Sequence, residues 1–115
     1  MARRPQKAPL SREALELVAQ RFRALGEATR LELLQALFQG ERTVQDLVAA
    51  TGATQANVSK HLGLLADQGL VARRREGLFV HYRIADDSVL ALCELVCGSL
   101  ARRLEEVRAH LPGPG

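Results

Sequence analysis

The spacing of hydrophobic and polar positions changes period twice along this chain, and those changes divide it into elements. After an aperiodic start, MARRPQKAPL, the residues Leu15, Val18, Ala19 and Phe22 recur at helical spacing. Ser11 is a suitable N-cap with Glu13 in the first turn, so a helix is predicted from there to about Ala24, broken by Gly26. In EATRLELLQALFQG a second stripe, Leu31, Leu34, Leu37 and Phe38, is expected to face a core, with Gly40 as the stop. Thr43 followed by Asp46 has the form of a capping box, opening a third helix with Val44, Leu47 and Val48 turned inward. TGAT then interrupts the pattern. From Thr54 to Asp67, Val58, Leu62 and Leu65 align at i, i+4 and i+7. Helices joined by a short glycine-containing turn over residues 43–67 read as a helix-turn-helix.

After Gly69 the period falls to two. LVARRR and LFVHYRI are short and β-rich, and Glu76-Gly77 between them suits a tight turn that would set Arg74 across from Phe79. Val80, Tyr82 and Ile84 would face the core, with Phe79, His81 and Arg83 outward on a basic face. Helical spacing returns near Asp87 and should reach Ala109: Val89, Leu92, Cys93, Val96, Cys97, Leu100, Leu104, Val107 and Leu111 recur at three and four, with Asp86 and Asp87 at the N-terminal end. That is more apolar surface than a small winged core can cover. It predicts that the last helix and the first pack on a symmetry mate in an isologous homodimer. The expected fold class is mainly α with a small β-hairpin (α+β): a winged helix-turn-helix of five helices plus a two-stranded wing. Residues 1–10 read as a disordered basic arm and 11–111 as one domain.

The helix at 54–67 carries the most specific chemistry. Opposite its apolar stripe stand Ala56, Ser59, Lys60 and Gly63, with Gln55 and Asn57 at the shoulders. Small residues permit close approach to a major groove, and Gln, Asn, Ser and Lys reach base edges or phosphates. The candidate contacts to double-stranded DNA are therefore Thr54, Gln55, Ala56, Asn57, Ser59 and Lys60, joined from the wing by Arg74, Arg75, His81 and Arg83, which can follow phosphates or enter the minor groove. His61 sits at the edge of the buried face and reads as structural. Arg30, at the start of its helix, either pairs with an acid or reaches the DNA backbone, and the structural role is favoured.

Composition narrows the picture. Of 115 residues 47% are hydrophobic but only 3% aromatic, so the core is aliphatic, which suits helices better than a sandwich or barrel. The formal charge of +3 is mild, but its distribution is not: Arg3, Arg4 and Lys7 crowd the start and Arg73, Arg74 and Arg75 form a run. Two cysteines make no disulfide framework, no 18-residue apolar run spans a membrane, and the start lacks an apolar signal core. A cytoplasmic location without a membrane partner is expected. No cofactor is called for. An enzyme is not expected either, since Cys93 and Cys97 have no obvious base or Cys-x-x-Cys motif beside them.

Those cysteines have two readings. As small buried hydrophobes they simply pack at the dimer seam. As a thiol switch they respond to an inducer: an oxidant, a sulfur species or a soft metalloid. Cβ atoms at i, i+4 lie about 5–6 Å apart and a disulfide needs about 3.5–4.5 Å, so oxidation would strain the helix or cross-link subunits. No cation in sequence favours the thiolate. A competing function for the whole chain is a winged-helix protein-interaction module without DNA binding, the cysteines then being purely structural.

With RFRALGEATRLELLQAL, ATQANVSKHLGLLADQGLV and RREGLFVHYRI in place, the chain resembles the ArsR/SmtB family of transcriptional repressors over roughly residues 15–105. The resemblance implies a homodimeric winged helix-turn-helix that occupies a palindromic operator, blocks transcription and is loosened by an inducer. It also implies base-reading positions at Gln55, Ala56, Ser59 and Lys60. Two departures matter. The third helix, TVQDLVAA, lacks the Cys-x-Cys pair by which one group of the family holds metal. Asp86 matches the first ligand of a zinc site at the last helix in another group, but Ser88 and Ser99 occupy the histidine positions and His110 lies near the C-terminal end. Serine is a poor zinc ligand, so no metal is expected.

Overall fold

Residues 9–110 are described by the computed structural model. In chain order the elements are α1 (Arg12–Leu25), α2 (Ala28–Leu37), β1 (Arg42–Thr43), α3 (Val44–Thr51), α4 (Gln55–Asp67), β2 (Val71–Glu76), β3 (Phe79–Ile84) and α5 (Ser88–His110). The basic arm falls almost wholly outside the described residues. So do Leu111 and the side chains of Val107 and His110.

Each helix begins where a side chain satisfies free N–H groups. The Ser11 hydroxyl accepts from the Ala14 amide at 3.1 Å, and Thr54 accepts from Asn57 at 3.1 Å. Thr43 and Asp46 form the full reciprocal capping box. The cap of α2 is Glu27, whose carboxylate accepts from the Arg30 amide at 3.0 Å. Gly52 closes α3 in the left-handed conformation (φ 73°), which a β-carbon would disfavour.

Leu33, Leu34, Leu37, Val44, Leu47, Val58, Leu62, Leu65, Leu70, Val71, Tyr82 and Val89 form one aliphatic cluster around α2, α3, α4 and the sheet. The stripe expected on α2 is rotated. Leu33 is buried, whereas Leu31 is 41% exposed. The true inward row is Arg30, Leu33, Leu34 and Leu37 at i, i+3, i+4 and i+7, and a charged residue at its head hid the period.

The expected hairpin is present but its turn lies one residue later. Glu76 pairs with Phe79 and Arg74 with His81, so Arg74 does not oppose Phe79. Gly77 takes the first central position at φ 61°, where only glycine is unstrained. The shift moves both strands together and leaves the same residues on each face. A third strand extends the sheet: β1 pairs with β3 through Arg42–Tyr82 and Thr43–His81, giving the order β1-β3-β2. A two-residue strand is too short to leave a periodic signal.

Leu15, Leu17, Val18 and Phe22 of α1 are exposed, as are Leu95, Val96, Leu100 and Leu104 of α5. Only Ala24 and Leu25 of α1 enter the core, and α5 touches it through Val89, Leu92 and Cys93. Both helices thus carry a long apolar face that the monomer leaves open.

Candidate nucleic-acid interface

The orientation of α4 is fixed from below. Val58, Leu62 and Leu65 have no exposed surface and His61 only 7%. Arg30 ties the helix to α1. Its Nε donates to the Ala24 carbonyl at 2.6 Å, Nη2 to the Arg23 carbonyl at 3.1 Å and Nη1 faces His61 Nδ1 at 3.0 Å. A guanidinium only donates, so Nδ1 accepts and the imidazole proton sits on Nε2. His61 has the structural role read from sequence. Arg30 has one too, with carbonyls and an imidazole as partners in place of an acid. A second tie had no sequence signal: Arg21 donates from Nη2 to the Gln68 carbonyl at the end of α4 (2.7 Å) and from Nη1 to Asp86 at 2.9 Å.

With its inner face locked, α4 presents Gln55, Ala56, Asn57, Ser59 and Lys60 to solvent, all exposed. Thr54 is exposed as well, but its oxygen is engaged as the cap. A β-carbon added at Gly63 would meet nothing within 4 Å, so packing inside this chain does not require glycine there. A glycine inside a helix costs about 0.5–1 kcal/mol relative to alanine, and here it keeps the outward face low.

The wing is electrostatically less simple than its arginine run. The Arg74 guanidinium is forked onto Glu41, at 2.7 Å and 3.0 Å, and reaches Glu76 at 3.1 Å. Those bonds raise the pKa of Arg74, with Glu41 the larger influence. The Arg74 hydrogen bond likewise holds the Glu41 carboxyl below its ordinary value. His81 is half-buried in the same cluster, 3.6 Å from Glu76 and 3.9 Å from Glu41. All four hairpin arginines, Arg73, Arg74, Arg75 and Arg83, are exposed, and Arg74 is the one held by carboxylates. Arg73 and Arg75 hold no ion pair among the described residues. Glu41 lies 33 residues from Arg74, and no pattern in a single sequence links them.

Asp86 is fully engaged. It accepts from the Ser88 hydroxyl at 2.6 Å and the Ser88 amide at 3.0 Å, besides Arg21. The Ser88 bonds foremost hold its carboxyl below the ordinary value. A serine donating to this carboxylate where a nitrogen ligand is needed does not fit zinc, and among the described residues no three His, Cys, Asp or Glu gather as a metal cage. Cys93 is half-buried against the core, and Cys97 is exposed. Burial, then the neighbouring Cys97, pushes the Cys93 thiol up. No helix among the described residues is long and apolar enough to cross a membrane.

Residues 27–73 match the model of the arsR family of bacterial regulatory proteins. The chain is similar to a probable mercury resistance operon repressor of Streptomyces lividans, 42% identical over 80 residues. That match covers 70% of this chain and 64% of the relative, so the chain spans less than two thirds of that protein. A transcriptional repressor SmtB homolog of Synechocystis is 37% identical over 98 residues, covering 85% of this chain and 74% of the relative. Among solved structures, the homodimeric winged helix-turn-helix DNA-binding domain of a possible ArsR-family regulator from Mycobacterium bovis superposes with a TM-score of 0.74 at 38% identity, over 88% of this chain and 95% of that one.

Proposed function

The chain belongs to the ArsR family of bacterial regulatory proteins, and from that premise we propose that it is a sequence-specific DNA-binding transcriptional repressor acting in the cytoplasm as a homodimer. The observation that carries this reading is the division of α4 into a locked inner face and an exposed row of Gln55, Ala56, Asn57, Ser59 and Lys60. That row supplies base-edge donors and acceptors on a helix that the core, Arg30 and Arg21 hold rigid. Joining two copies through α1 and α5 sets two such helices against half-sites about one helical turn, roughly 34 Å, apart on a palindromic operator. Occupancy then excludes the transcription machinery.

The experiment is binding to an operator duplex selected from a random pool by the wild-type protein, measured across a salt series. Gln55→Ala and Lys60→Ala are each expected to weaken specific binding by about 1–3 kcal/mol, and wild-type affinity should fall steeply with salt as counterions are released. A flat salt response, with both variants binding like wild type, favours the interaction module instead.

Control is assigned to the thiols of α5. Cys97 is exposed on the apolar face proposed as the dimer seam, and Cys93 lies one turn earlier on the same side. An inducer of the oxidant, sulfur-species or soft-metalloid class that modifies these thiols distorts the seam that spaces the recognition helices. Operator release on treatment with polysulfide is expected for wild type and lost in Cys97→Ser. Equal release, or equal retention, by wild type and the Cys93→Ser/Cys97→Ser pair would leave the cysteines as packing residues.

A further inference from the structure

The tip of the wing is not basic. Leu78, the second central residue of the turn, is 92% exposed, and Phe79 beside it is 52% exposed. No other large hydrophobic residue among those described is as exposed as Leu78. Four positions back, Arg74 is exposed but paired in the fork with Glu41 and Glu76, which also braces the hairpin against the segment leading into α3. Arg73 and Arg75 remain exposed on the other face of the same strand.

Groove dimensions decide what such a ribbon can insert. Paired strands lie about 4.8 Å apart before side chains are added, and a B-form minor groove is about 6 Å wide. The ribbon itself is excluded, so only what projects beyond the turn enters, and here that is Leu78. Leucine has no donor for the adenine N3 or thymine O2 acceptors on the groove floor. It can pack on the sugar C–H walls or wedge at a base step, as apolar side chains do in minor-groove binders. Its partner must be polyanionic at the rim and apolar in the wall, because unpaired arginines stand immediately behind the apolar tip.

We propose, resting on the DNA-binding reading above, that Leu78 with Phe79 is an apolar wedge that enters the minor groove flanking each half-site. Arg73 and Arg75 bind the phosphates beside it. Glu41 and Arg74 fix the angle of entry. The wedge reads groove width and step deformability, so it disfavours stiff, narrow A-tracts and favours TA or CA/TG steps at positions the recognition helix never touches.

The test uses the full chain, the selected operator duplex and two derivatives, one with a TA step and one with an A-tract placed in the flank. Leu78→Ala is expected to weaken operator binding roughly tenfold, the equivalent of losing one partly buried leucine. The salt slope should not change. Wild type should prefer the TA flank several-fold, and Leu78→Ala should lose that preference. Phe79→Ala gives the second, smaller loss. A 2-aminopurine placed at the flanking step should brighten with wild type and stay quenched with Leu78→Ala. Undiminished affinity of Leu78→Ala overturns the wedge, as does a salt slope that falls by about one, which would mark a phosphate contact. Loss of self-association by free Leu78→Ala would assign the tip to a second copy instead. These outcomes leave DNA binding standing; wild type with no salt-dependent duplex binding removes the underlying reading and the wedge together.

Discussion

Leu100→Asp and Leu104→Asp are each expected to convert the protein to a monomer and to lower operator affinity by roughly 10²–10⁴-fold, the range by which linking two binding modules raises it. The physical ground is the mismatch between α5 and the core. Leu100 is 54% exposed and Leu104 62% exposed, so neither contributes to the cluster around Leu62 and Leu65. Leu15, Leu17, Val18 and Phe22 of α1 are open as well. Contiguous apolar faces of this extent on a small domain mark an interface. A carboxylate placed in the proposed seam must be desolvated without a partner, at a cost of several kcal/mol. The recognition helix is untouched by either change, so each monomer retains its half-site contacts and loses only the joint engagement of two. Sedimentation equilibrium reads the first effect and fluorescence anisotropy on the selected duplex the second, with far-UV circular dichroism checking that helix content is kept. A variant that remains dimeric at micromolar concentration would move the interface elsewhere. A clean monomer with wild-type operator affinity would remove the two-half-site geometry.

Local chemistry is legible in the sequence and long-range partnership is not. Val58, Leu62 and Leu65 announced α4 because three identical solutions to burial recur at one helical period, and all three are fully buried. Thr43 and Asp46 announced α3 because capping is local chemistry three residues long. Arg30 breaks such a period. It heads an otherwise apolar row, so the apolar spacing alone sits one residue out of phase, with Leu31 in the place of Arg30 and the buried Leu33 missed. The hairpin turn slipped because Glu76-Gly77 and Gly77-Leu78 both contain the glycine, and only the backbone shows that φ is positive at its first position. The fork between Glu41 and Arg74 and the tie from Arg21 to Asp86 join residues 33 and 65 apart. Such partnerships are set by topology, which one sequence does not encode as a pattern. The cysteines were ambiguous for a related reason: spacing put both on one face, and only the packing distinguishes a half-buried Cys93 from an exposed Cys97.

Arg30→Ala is expected to destabilise the fold by about 3 kcal/mol, because hydrogen bonds to charged groups contribute about 1.5–3 kcal/mol each and three bonds sharing one donor group are not additive. The bonds are those to the Ala24 carbonyl, the Arg23 carbonyl and His61 Nδ1. Ala24 and Arg23 end α1, where carbonyls run short of helical donors and Arg23 is otherwise met only by the Gly26 amide at 3.2 Å, and His61 is buried at an exposure of 7%. Removing the guanidinium therefore takes their donor from a buried imidazole nitrogen and the Ala24 carbonyl, while the Arg23 carbonyl keeps only the Gly26 amide. Stability of a domain this size totals about 5–15 kcal/mol, so the melting temperature should drop by roughly 10–15 °C. Arg30→Lys should restore little of it, since one ammonium cannot span three acceptors that a planar fork meets at once. Arg30→Met, which keeps much of the side chain's apolar volume, separates lost packing from lost hydrogen bonds and should resemble alanine. Urea melts give the stability, and the salt slope of operator binding discriminates the competing role. A variant that melts like wild type but loses about one unit of slope would make Arg30 a phosphate contact. A large stability loss with the slope intact would make it the bracket that holds the recognition helix at its angle to α1, so that operator affinity falls through disorder of α4 while every base-contacting side chain is still present.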